Sequence, residues 1–479
     1  MKRTRGEEGT RAVGRNEVRT LWCPFIDLAV AKGVLYGVHG ADGCIYSRKI
    51  QEPSWTRRSG GSMRAVAVDD CNVWVVMEDG GLYMQSVSKE TEATMWRSTW
   101  SAACGLQSWS KALAVAVGAE SLYVVDTDLQ VYSKPRALIS CQQTMWRLCA
   151  KGWVTGIAVN DKALCGVAPS GDLMQHDPDT DTWGCLASVG MRTVAADGDI
   201  LYGLGLNGHL YRRPREADAW EGLGPVAWQP RLSPRLAGDT PTLRLVCISD
   251  THGHHRSLEL PPGDVLVHAG DLTEQGDQAQ LLEAAAWFVE LRDSKAYGEI
   301  VAIAGNHDKG LEASGAGEEF AKQAMCAYLE DKALEVGPTG RRLTVYGTPW
   351  QPQHGDRATN AFSVSRGEEQ LQSKWKAIPE HTDVLVVHGP PSGQRDLCWD
   401  LRRVGCETLL EEVVDRVRPR VVVFGHIHEA FGWTWYKGIL FVNASSECGY
   451  HGANLNPPVV IDLPLDIDKK PVVVSPMLG

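Results

Sequence analysis

The sequence lacks the features that mark secreted or membrane-spanning chains. It contains no apolar run of about 18 residues, so we expect no transmembrane helix. Residues 1–20 carry six basic and three acidic side chains but almost no apolar ones, which argues against a signal peptide and predicts a disordered tail. The 13 cysteines are odd in number and form no C-x-x-C pair, as is typical of reduced thiols. These absences predict a cytoplasmic protein without membrane contact.

The chain also lacks an excess of positive charge. Its 48 basic and 59 acidic residues give a net charge of -11, which argues against general nucleic-acid binding but leaves room for a local basic pocket. Two residue types are unevenly distributed, since 11 of 14 histidines follow residue 240 and 11 of 17 tryptophans precede it. This imbalance predicts two parts with different chemistry.

The first part repeats at intervals of about 40 residues. Each unit has an apolar strand, then a pair such as Leu35-Tyr36, then a second such pair behind a Gly, Asp or Asn turn. Tryptophans close the five units: Trp55, Trp96, Trp146, Trp183 and Trp220. Repeats of this length built from short strands are typical of β-propeller blades, which bury their faces only by packing together. We predict a propeller of about five blades over residues 21–228.

The repeat rhythm resembles tectonin-type and tachylectin-like propellers. That resemblance implies a recognition surface for a glycan or a protein. The alternative is that the aromatic residues form the core between blades and the propeller is a scaffold. Three prolines within residues 229–242 predict a semi-extended linker between the two parts.

The second part, residues 243–479, contains five apolar strands that each end in metal-ligand residue types. Helical patterns lie between several strands, at residues 278–292 and 407–417 for example. This order predicts an α/β fold with a site at the carboxyl ends of the strands. The strand ends are Asp250-Thr251-His252, Gly270-Asp271, Gly305-Asn306-His307-Asp308, His388-Gly389 and Gly425-His426-Ile427-His428.

Carboxylate, imidazole and amide ligands together suit borderline divalent metals such as Mn, Fe or Zn. Two ions about 3.5–4 Å apart can clamp the attacking and leaving oxygens of an in-line phosphoryl displacement. The residues therefore favour metal-assisted phosphoryl chemistry.

All five motifs, in this order, resemble the calcineurin-like metallophosphoesterase superfamily, and the resemblance covers residues 243 to about 463. It implies two mixed sheets flanked by helices. Further blocks are similar to the metallophosphoesterase-domain-containing subgroup, which relates to class III cyclic-nucleotide phosphodiesterases. They are Gly270-Asp271-Leu272-Thr273, Gly347-Thr348-Pro349-Trp350-Gln351-Pro352, His388-Gly389-Pro390-Pro391 and Val442-Asn443-Ala444-Ser445.

The resemblance implies a role for each matching residue. Asp250, His252 and His428 would bind the first metal; Asn306, His388 and His426 would bind the second; and Asp271 would bridge both. His307 would lie beside the substrate phosphate as a catalytic residue, and Asp308 would orient it. For His254, His255 and Arg256 the sequence leaves two possibilities, a contact with the substrate phosphate or a solvated loop.

We therefore expect a phosphoesterase that uses hydroxide activated by two divalent ions, without a covalent enzyme intermediate. Protein phosphatases of this superfamily follow the bridging Asp with a further Asp-Arg, whereas Asp271 is followed by Leu272-Thr273-Glu274, which favours a small phosphodiester, with a cyclic nucleotide as one candidate. The alternatives are a phosphomonoesterase, or a glycan- or protein-binding protein with a weakly active metal domain.

Overall fold

The computed structural model describes residues 25–474 apart from several gaps. The gaps are residues 53–54, 62, 70, 87–100, 103–110, 140–144, 153, 161–162, 169, 189, 206–208, 215–218, 226–240, 354–359, 368, 399–401 and 449–453. The predicted tail, Trp96 and most of the predicted linker lie outside the described residues. None of the helices within the described residues combines the length and apolar character needed to cross a membrane.

The first part is a ring of five antiparallel four-stranded sheets, which confirms the predicted propeller. Blade 1 contains β1 (Phe25–Ala31), β2 (Val34–His39), β3 (Ile45–Lys49) and β4 (Thr56–Arg57). Blade 2 contains β5 (Met63–Val68), β6 (Asn72–Met77), β7 (Leu82–Ser86) and β8 (Ser101–Ala102). Blade 3 contains β9 (Ala112–Val117), β10 (Ser121–Asp126), β11 (Val131–Pro135) and β12 (Arg147–Ala150). Blade 4 contains β13 (Gly156–Asn160), β14 (Ala163–Val167), β15 (Asp172–Asp177) and β16 (Thr182–Ser188). Blade 5 contains β17 (Met191–Asp197), β18 (Ile200–Gly205), β19 (His209–Pro214) and β20 (Glu221–Pro225).

Short turns and apolar strands explain why each unit folds as a blade. Lys32 and Gly33, both with positive φ, form the two-residue turn between β1 and β2, and such turns match the twist of paired strands. The first strand of every blade packs against the first strands of its two neighbours, and β1 closes the ring against β17. Five apolar clusters fill the five spaces between blades, so each sheet buries both faces.

The second part is a sandwich of two mixed six-stranded sheets, as expected. In the first sheet β21, β22, β23 and β24 are parallel, β35 pairs antiparallel with β21, and β36 pairs antiparallel with β35 at the edge. In the second, β26, β29, β30 and β32 are parallel, with β25 and β31 antiparallel at the edges. The strands are β21 (Thr242–Ile248), β22 (Val265–Ala269), β23 (Glu299–Ile303), β24 (Ala327–Tyr328), β25 (Lys332–Val336), β26 (Leu343–Thr348), β29 (Val384–Val387), β30 (Val421–Phe424), β31 (Gly432–Tyr436), β32 (Ile439–Asn443), β35 (Val459–Pro464) and β36 (Val472–Val473). Two short pairs add β27 (Gln351–Pro352) with β28 (Ser363–Val364), and β33 (Glu447–Cys448) with β34 (Asn454–Leu455).

Helices cover the outer faces of the two sheets. Helices α1 (Gln278–Asp293) and α2 (Ala316–Ala324) pack on the first sheet, with Trp287 and Phe288 of α1 in that core. Helices α3 (Glu369–Lys376) and α4 (Glu407–Glu411) pack on the second, and α4 continues as a π-helix over Glu412–Val417. Single 3-10 turns occur at Arg136–Leu138, His255–Ser257, Lys309–Leu311 and His428–Ala430.

One loop of the propeller enters the core of the sandwich. Ala41, between β2 and β3, is fully buried among residues of the space between the two sheets. Its carbonyl oxygen accepts hydrogen bonds from the Trp433 amide at 3.1 Å and from the Arg395 guanidinium at 2.5 Å. Arg395 also donates to the Gly40 carbonyl oxygen at 3.2 Å. The two parts therefore share a packed and hydrogen-bonded interface.

Candidate functional site

The structure brings the seven predicted metal ligands together at the carboxyl ends of five parallel strands. Three of these strands belong to the first sheet and two to the second, so both sheets converge on one site. The ligands follow their strands in this order: Asp250 and His252 after β21, Asp271 after β22, Asn306 after β23, His388 after β29, and His426 and His428 after β30.

Asp250, His252 and His428 form the first group. Their ligand atoms all lie within 4.8 Å of one another. The Nε2 atoms of His252 and His428 are 3.3 Å apart, and His428 Nε2 is 3.3 Å from Asp250 Oδ1. Asp250 is fully buried, and its carboxylate accepts hydrogen bonds from the His426 amide at 3.0 Å and from Ser445 Oγ at 2.9 Å. These bonds fix the carboxylate facing the two imidazoles.

Asp271, His388 and His426 form the second group, again with ligand atoms within 4.8 Å. His388 Nε2 lies 3.3 Å from Asp271 Oδ2 and 3.0 Å from Asn306 Oδ1. The other ring nitrogen, Nδ1, donates to the Ala269 carbonyl oxygen at 2.9 Å, which assigns the proton to Nδ1 and leaves Nε2 as the ligand atom.

Asp271 connects the two groups. The same oxygen, Oδ2, is 3.3 Å from His388 Nε2 and 3.8 Å from His252 Nε2. The other oxygen, Oδ1, accepts a hydrogen bond from the His307 amide at 2.8 Å. Asp271 is only 2% exposed, so its position between the groups is set by its protein neighbours.

Four of the predicted ligands have backbones in the left-handed region. The φ angles are 49° for Asp250, 42° for His252, 52° for Asp271 and 69° for His426. A residue with a Cβ adopts this conformation at a cost of roughly 1–3 kcal/mol, and such residues cluster at functional sites. The sharp turn at each strand end therefore directs the ligand side chains inward at the expense of stability.

Electrostatics draw positive charge to two positions in the site. Burial lowers the pKa of His388, but the charge of Asp271 and a hydrogen bond with it outweigh burial and raise that pKa to about 9. Burial likewise lowers the pKa of His428, but a hydrogen bond with Asp250 and the charge of Asp250 outweigh burial and raise that pKa to about 9. By contrast, burial and the charge of His388 lower the pKa of His426 to about 3. Each group thus holds one buried carboxylate that stabilises a cation beside it.

His307 lies at the rim of the site, with its ring edge-on to that of His252 at 4.7 Å between centroids. Its Nδ1 donates to the Glu274 carbonyl oxygen at 2.8 Å. We expected Asp308 to orient His307, but the hydrogen bonds of the Asp308 carboxylate are made with other residues. The buried Asp308 carboxylate instead accepts from the amides of Leu272, Thr273 and Gly305 and from Thr273 Oγ1, which ties two motif loops together. Burial and the charge of Asp271 raise the pKa of Asp308 to about 6.

His255 and Arg256 are bound to helix α1. His255 Nε2 is 2.6 Å from Glu283 Oε2, and its ring contacts that of Trp287 with 4.6 Å between centroids and 40° between planes. Arg256 donates to Glu283 at 2.5 Å and to both oxygens of Glu290 at 2.7 and 2.9 Å. These contacts favour a structural role for both residues. His254 is exposed at the start of the same turn.

Two carboxylates at the site were not predicted. Glu274 Oε2 is 3.3 Å from His252 Nδ1, and Glu447 Oε2 is 3.6 Å from His252 Nε2 and 3.7 Å from His428 Nδ1. Carboxylates beside ligating imidazoles orient the ring and raise its basicity. Glu447 follows the carboxyl end of β32, which is a parallel strand. A search of the residues after β32, like the one that located the predicted ligands after the other strands, would have found it. Glu274 is the third residue after Asp271, and no pattern in the sequence marked it as part of the site.

A small cleft beside His426 contains two more polar side chains that were not predicted. It is lined by Gln351 and Arg366, together with Pro352, Gly389, Pro390 and Val404. Arg366 donates to the carbonyl oxygens of Val404 and Gly405, which holds its guanidinium in place. The cleft therefore places a guanidinium group close to His426 of the second group.

The residues present fit two divalent cations. Each group combines carboxylate and imidazole, the second adds the Asn306 amide oxygen, and Asp271 faces both groups. Mixed oxygen and nitrogen ligands of this kind suit Mn, Fe or Zn. The His252 and His428 nitrogens, 3.3 Å apart beside a buried carboxylate, are spaced as ligands of one ion would be.

A comparison with family models agrees with the architecture of the second part. The model of the calcineurin-like phosphoesterase family matches residues 243–430. The crystal structure of human WBSCR16 overlaps 41% of this chain and 65% of its own, with 12% identity and a TM-score of 0.24, a likeness too weak to support an argument.

Two curated relatives match about half of the chain. The UPF0046 protein T07D4.2 of Caenorhabditis elegans is 37% identical over 260 residues, covering 47% of this chain and 62% of the relative. Metallophosphoesterase domain-containing protein 1 of Homo sapiens is 37% identical over 265 residues, covering 49% of this chain and 74% of the relative. With that identity and coverage, the chain belongs to the metallophosphoesterase family of calcineurin-like phosphoesterases.

Proposed function

We propose that this chain hydrolyses phosphodiesters with two divalent ions. Asp250, His252 and His428 would hold one ion, and Asn306, His388 and His426 would hold the other. The single observation that carries this proposal is the position of Asp271, whose Oδ2 lies 3.3 Å from His388 Nε2 and 3.8 Å from His252 Nε2. A carboxylate oxygen that faces both groups is what a shared ligand requires.

The chemistry that divalent ions supply at such a site is polarisation of phosphoryl oxygens and a lowered pKa for water. The chain's own residues orient the ligands. Ser445 and the His426 amide hold Asp250, and the His307 amide holds Asp271, so neither carboxylate needs to reorganise when substrate binds.

His307 is the side chain best placed to move a proton. Because a carbonyl oxygen can only accept, the Glu274 carbonyl assigns a proton to His307 Nδ1. The remaining nitrogen, Nε2, is then the atom that would pass a proton to the leaving oxygen, and it can do so only from the doubly protonated imidazolium. General acid catalysis of this kind contributes typically 10²–10⁴-fold to the rate.

The charges around the site support a diester over a monoester. A phosphomonoester has a second pKa near 6 and is largely a dianion at neutral pH, whereas a diester carries one negative charge. Glu274 and Glu447 place two further carboxylates next to His252, at 3.3 and 3.6 Å. Like charges repel, so these residues disfavour the dianion more than the monoanion. A cyclic nucleotide is one diester of this class.

Hydrolysis of bis-p-nitrophenyl phosphate with added Mn²⁺ tests the proposal, with p-nitrophenyl phosphate as the monoester and 3′,5′-cyclic AMP as the cyclic diester. We expect turnover of the diester and its loss in Asp271→Asn. Asp199→Asn, at an exposed turn of blade 5, is the matched control and should retain full activity. No turnover of any of the three by protein with two bound metals would overturn the proposal.

A second pair of variants tests the preference for diesters. Glu274→Gln and Glu447→Gln remove one negative charge each while keeping the side-chain shape. We expect the ratio of monoesterase to diesterase activity to rise in both. An unchanged ratio in the double variant would show that these carboxylates do not select the substrate.

A further inference from the structure

A basic cavity lies at the opposite end of the second sheet from the metal-ligand groups. It has a volume of about 320 Å³ and is lined by the segments 414–420, 437–439 and 467–471. Arg420 directly precedes β30, and His426 and His428 follow that strand. At about 3.3 Å per strand residue, roughly 15 Å separates the cavity from the metal-ligand groups.

The lining is strongly positive in a protein of net charge -11. Five basic residues and two acidic ones contribute to it: Arg418, Arg420, Lys437, Lys469 and Lys470 against Asp415 and Asp468. The Lys437–Asp415 ion pair is long, at 3.9 Å between Nζ and Oδ1, and both side chains are mostly exposed. Even with both aspartates counted as neutralising one cation each, five basic less two acidic side chains leaves three positive charges in the lining. The cavity therefore has a positive field that favours anions.

Arg420 is the most buried of these cations. Its Nη2 donates to the carbonyl oxygens of Asp466 at 3.2 Å and Lys469 at 2.8 Å. Within the described residues, its Nε and Nη1 atoms are buried without a hydrogen-bond partner. Unpaired buried donors on a charged group destabilise the empty cavity, and an anion at the cavity wall would offset that cost through the charge of the guanidinium. Burial lowers the pKa of Arg420 despite the nearby Asp383 and Asp466.

Exposed aromatic rings lie beside two of the lysines that line the cavity. Tyr436 pairs with Ile439 of the lining and shares its face of the sheet, whereas Trp435 lies on the other face. Trp435 and Tyr436 of β31 are 42% and 40% exposed. Lys470 Nζ lies 5.9 Å from the centroid of the Trp435 ring, and Lys437 Nζ lies 5.7 Å from that of Tyr436. Solvent-exposed aromatic faces beside cations are the combination that binds a base next to its phosphates.

We propose that this cavity is a binding site for a nucleoside polyphosphate, separate from the metal centre. Arg418, Arg420 and the three lysines would bind the phosphates, and the ring of Tyr436, on the same face of the sheet as Ile439 of the lining, would contact the base. The volume is at the lower end of small-molecule sites, which are typically about 300–1,000 Å³. Guanidinium groups held by carbonyl oxygens keep their positive charge fixed at the cavity wall, so phosphate binds without further ordering of these side chains.

Isothermal titration of the full chain with ATP, tripolyphosphate and adenosine tests the site. EDTA is kept in excess so that the metal centre cannot bind phosphate through an ion, and 150 mM salt screens weak surface attraction. We expect ATP to bind, tripolyphosphate to bind at least threefold more weakly, and adenosine to bind undetectably. Absence of ATP binding would overturn the proposal, and equal affinity for tripolyphosphate would overturn the contact with the base.

Exposed lysines give variants that keep the fold. Lys437→Ala with Lys470→Ala should weaken ATP binding at least tenfold, and Arg420→Gln should weaken it further. The matched control is Lys322→Ala with Lys376→Ala, two exposed lysines on helices α2 and α3. Asp271→Asn should leave ATP binding unchanged. If Asp271→Asn abolished it, or if the cavity and control variants behaved alike, the site would not be this cavity.

Discussion

Gly305 is the glycine whose replacement should damage the site most directly. A Cβ added there would lie 2.2 Å from Asp271 Oδ1, 2.5 Å from the Asp271 amide nitrogen and 2.6 Å from His388 Cε1. One of these contacts is with backbone, so a side-chain rotation cannot relieve the clash. Asp271, which faces both ligand groups, would have to move by about 1 Å, a displacement that can cost about 10²-fold in rate.

Gly253 provides the matched control for Gly305→Ala. It lies beside His252 with a φ of 81°, and a Cβ added there would meet no atom within 4 Å. Gly253→Ala should therefore cost about 1–2 kcal/mol of backbone strain without moving a ligand. Overpacking at Gly305 should cost a similar 1–3 kcal/mol in stability. The two variants thus differ mainly at the metal site.

The assays are metal content after dialysis, Mn²⁺ titration and diester hydrolysis, with thermal unfolding as the measure of stability. We expect Gly305→Ala to bind Mn²⁺ at least tenfold more weakly and to lose about 10²-fold in rate. Gly253→Ala should keep the metal stoichiometry of the unmodified chain. Unchanged Mn²⁺ affinity and rate in Gly305→Ala would refute the placement of Asp271 between the two groups.

Three further predictions test the supports of the site and of the ring. Ser445→Ala removes the hydroxyl that donates to Asp250 Oδ2, and we expect it to weaken metal binding by about 10- to 100-fold. The control is Ser446→Ala, because the buried Ser446 Oγ has no hydrogen-bond partner in the described part of the chain. Equal metal affinity in the two variants would contradict a supporting role for Ser445. Arg395→Ala removes the donors to the Gly40 and Ala41 carbonyl oxygens and should weaken the contact between propeller and sandwich by about 3 kcal/mol. We expect faster deuterium exchange in residues 39–46 and 432–436, and unchanged exchange would argue against the interface. Burial raises the pKa of Asp27 from 3.8 to about 6, so the folded propeller binds this proton more tightly than the unfolded chain does. Stability from Asp27 is therefore greatest below about pH 4 and falls by up to about 3 kcal/mol as pH rises through 6. Asp27→Asn should flatten this part of the propeller's unfolding curve against pH, and identical slopes in both proteins would contradict the assignment.

Much of the propeller could be predicted because its turns and strands carry a local pattern. The Leu-Tyr-like pairs fall on the second and third strands of every blade, as at Leu35 in β2 and Ile45 in β3. Four of the five predicted boundary tryptophans lie at or next to the fourth strands, and Trp96 is outside the described residues. Ring closure could not be predicted, because the packing of β1 on β17 joins residues far apart in sequence.

The ligands could be predicted because parallel strands end at one edge of a sheet, and a ligand-type residue at that position is visible in the sequence. Their left-handed backbones could not, because Asp250, His252, Asp271 and His426 are not glycines and nothing local requires a positive φ. His255 and Arg256 show the same limit: imidazole and guanidinium suit a phosphate or a glutamate equally. Only the position of Glu283 and Glu290 on α1 decides between them.

The interface at Ala41 argues against treating the propeller as an independent attachment. The Ala41 carbonyl oxygen binds Arg395, the Arg395 carbonyl oxygen accepts from Asn443 Nδ2, and Asn443 Oδ1 accepts from the Ser445 amide. Ser445 in turn donates to Asp250, a predicted metal ligand. Each link is buried or partly buried, so displacement of the blade 1 loop would leave polar groups unpaired along a path that ends at the site. The linker separates the two parts in sequence, but Ala41 of the propeller lies in the core of the sandwich, and a series of hydrogen bonds joins that contact to Asp250.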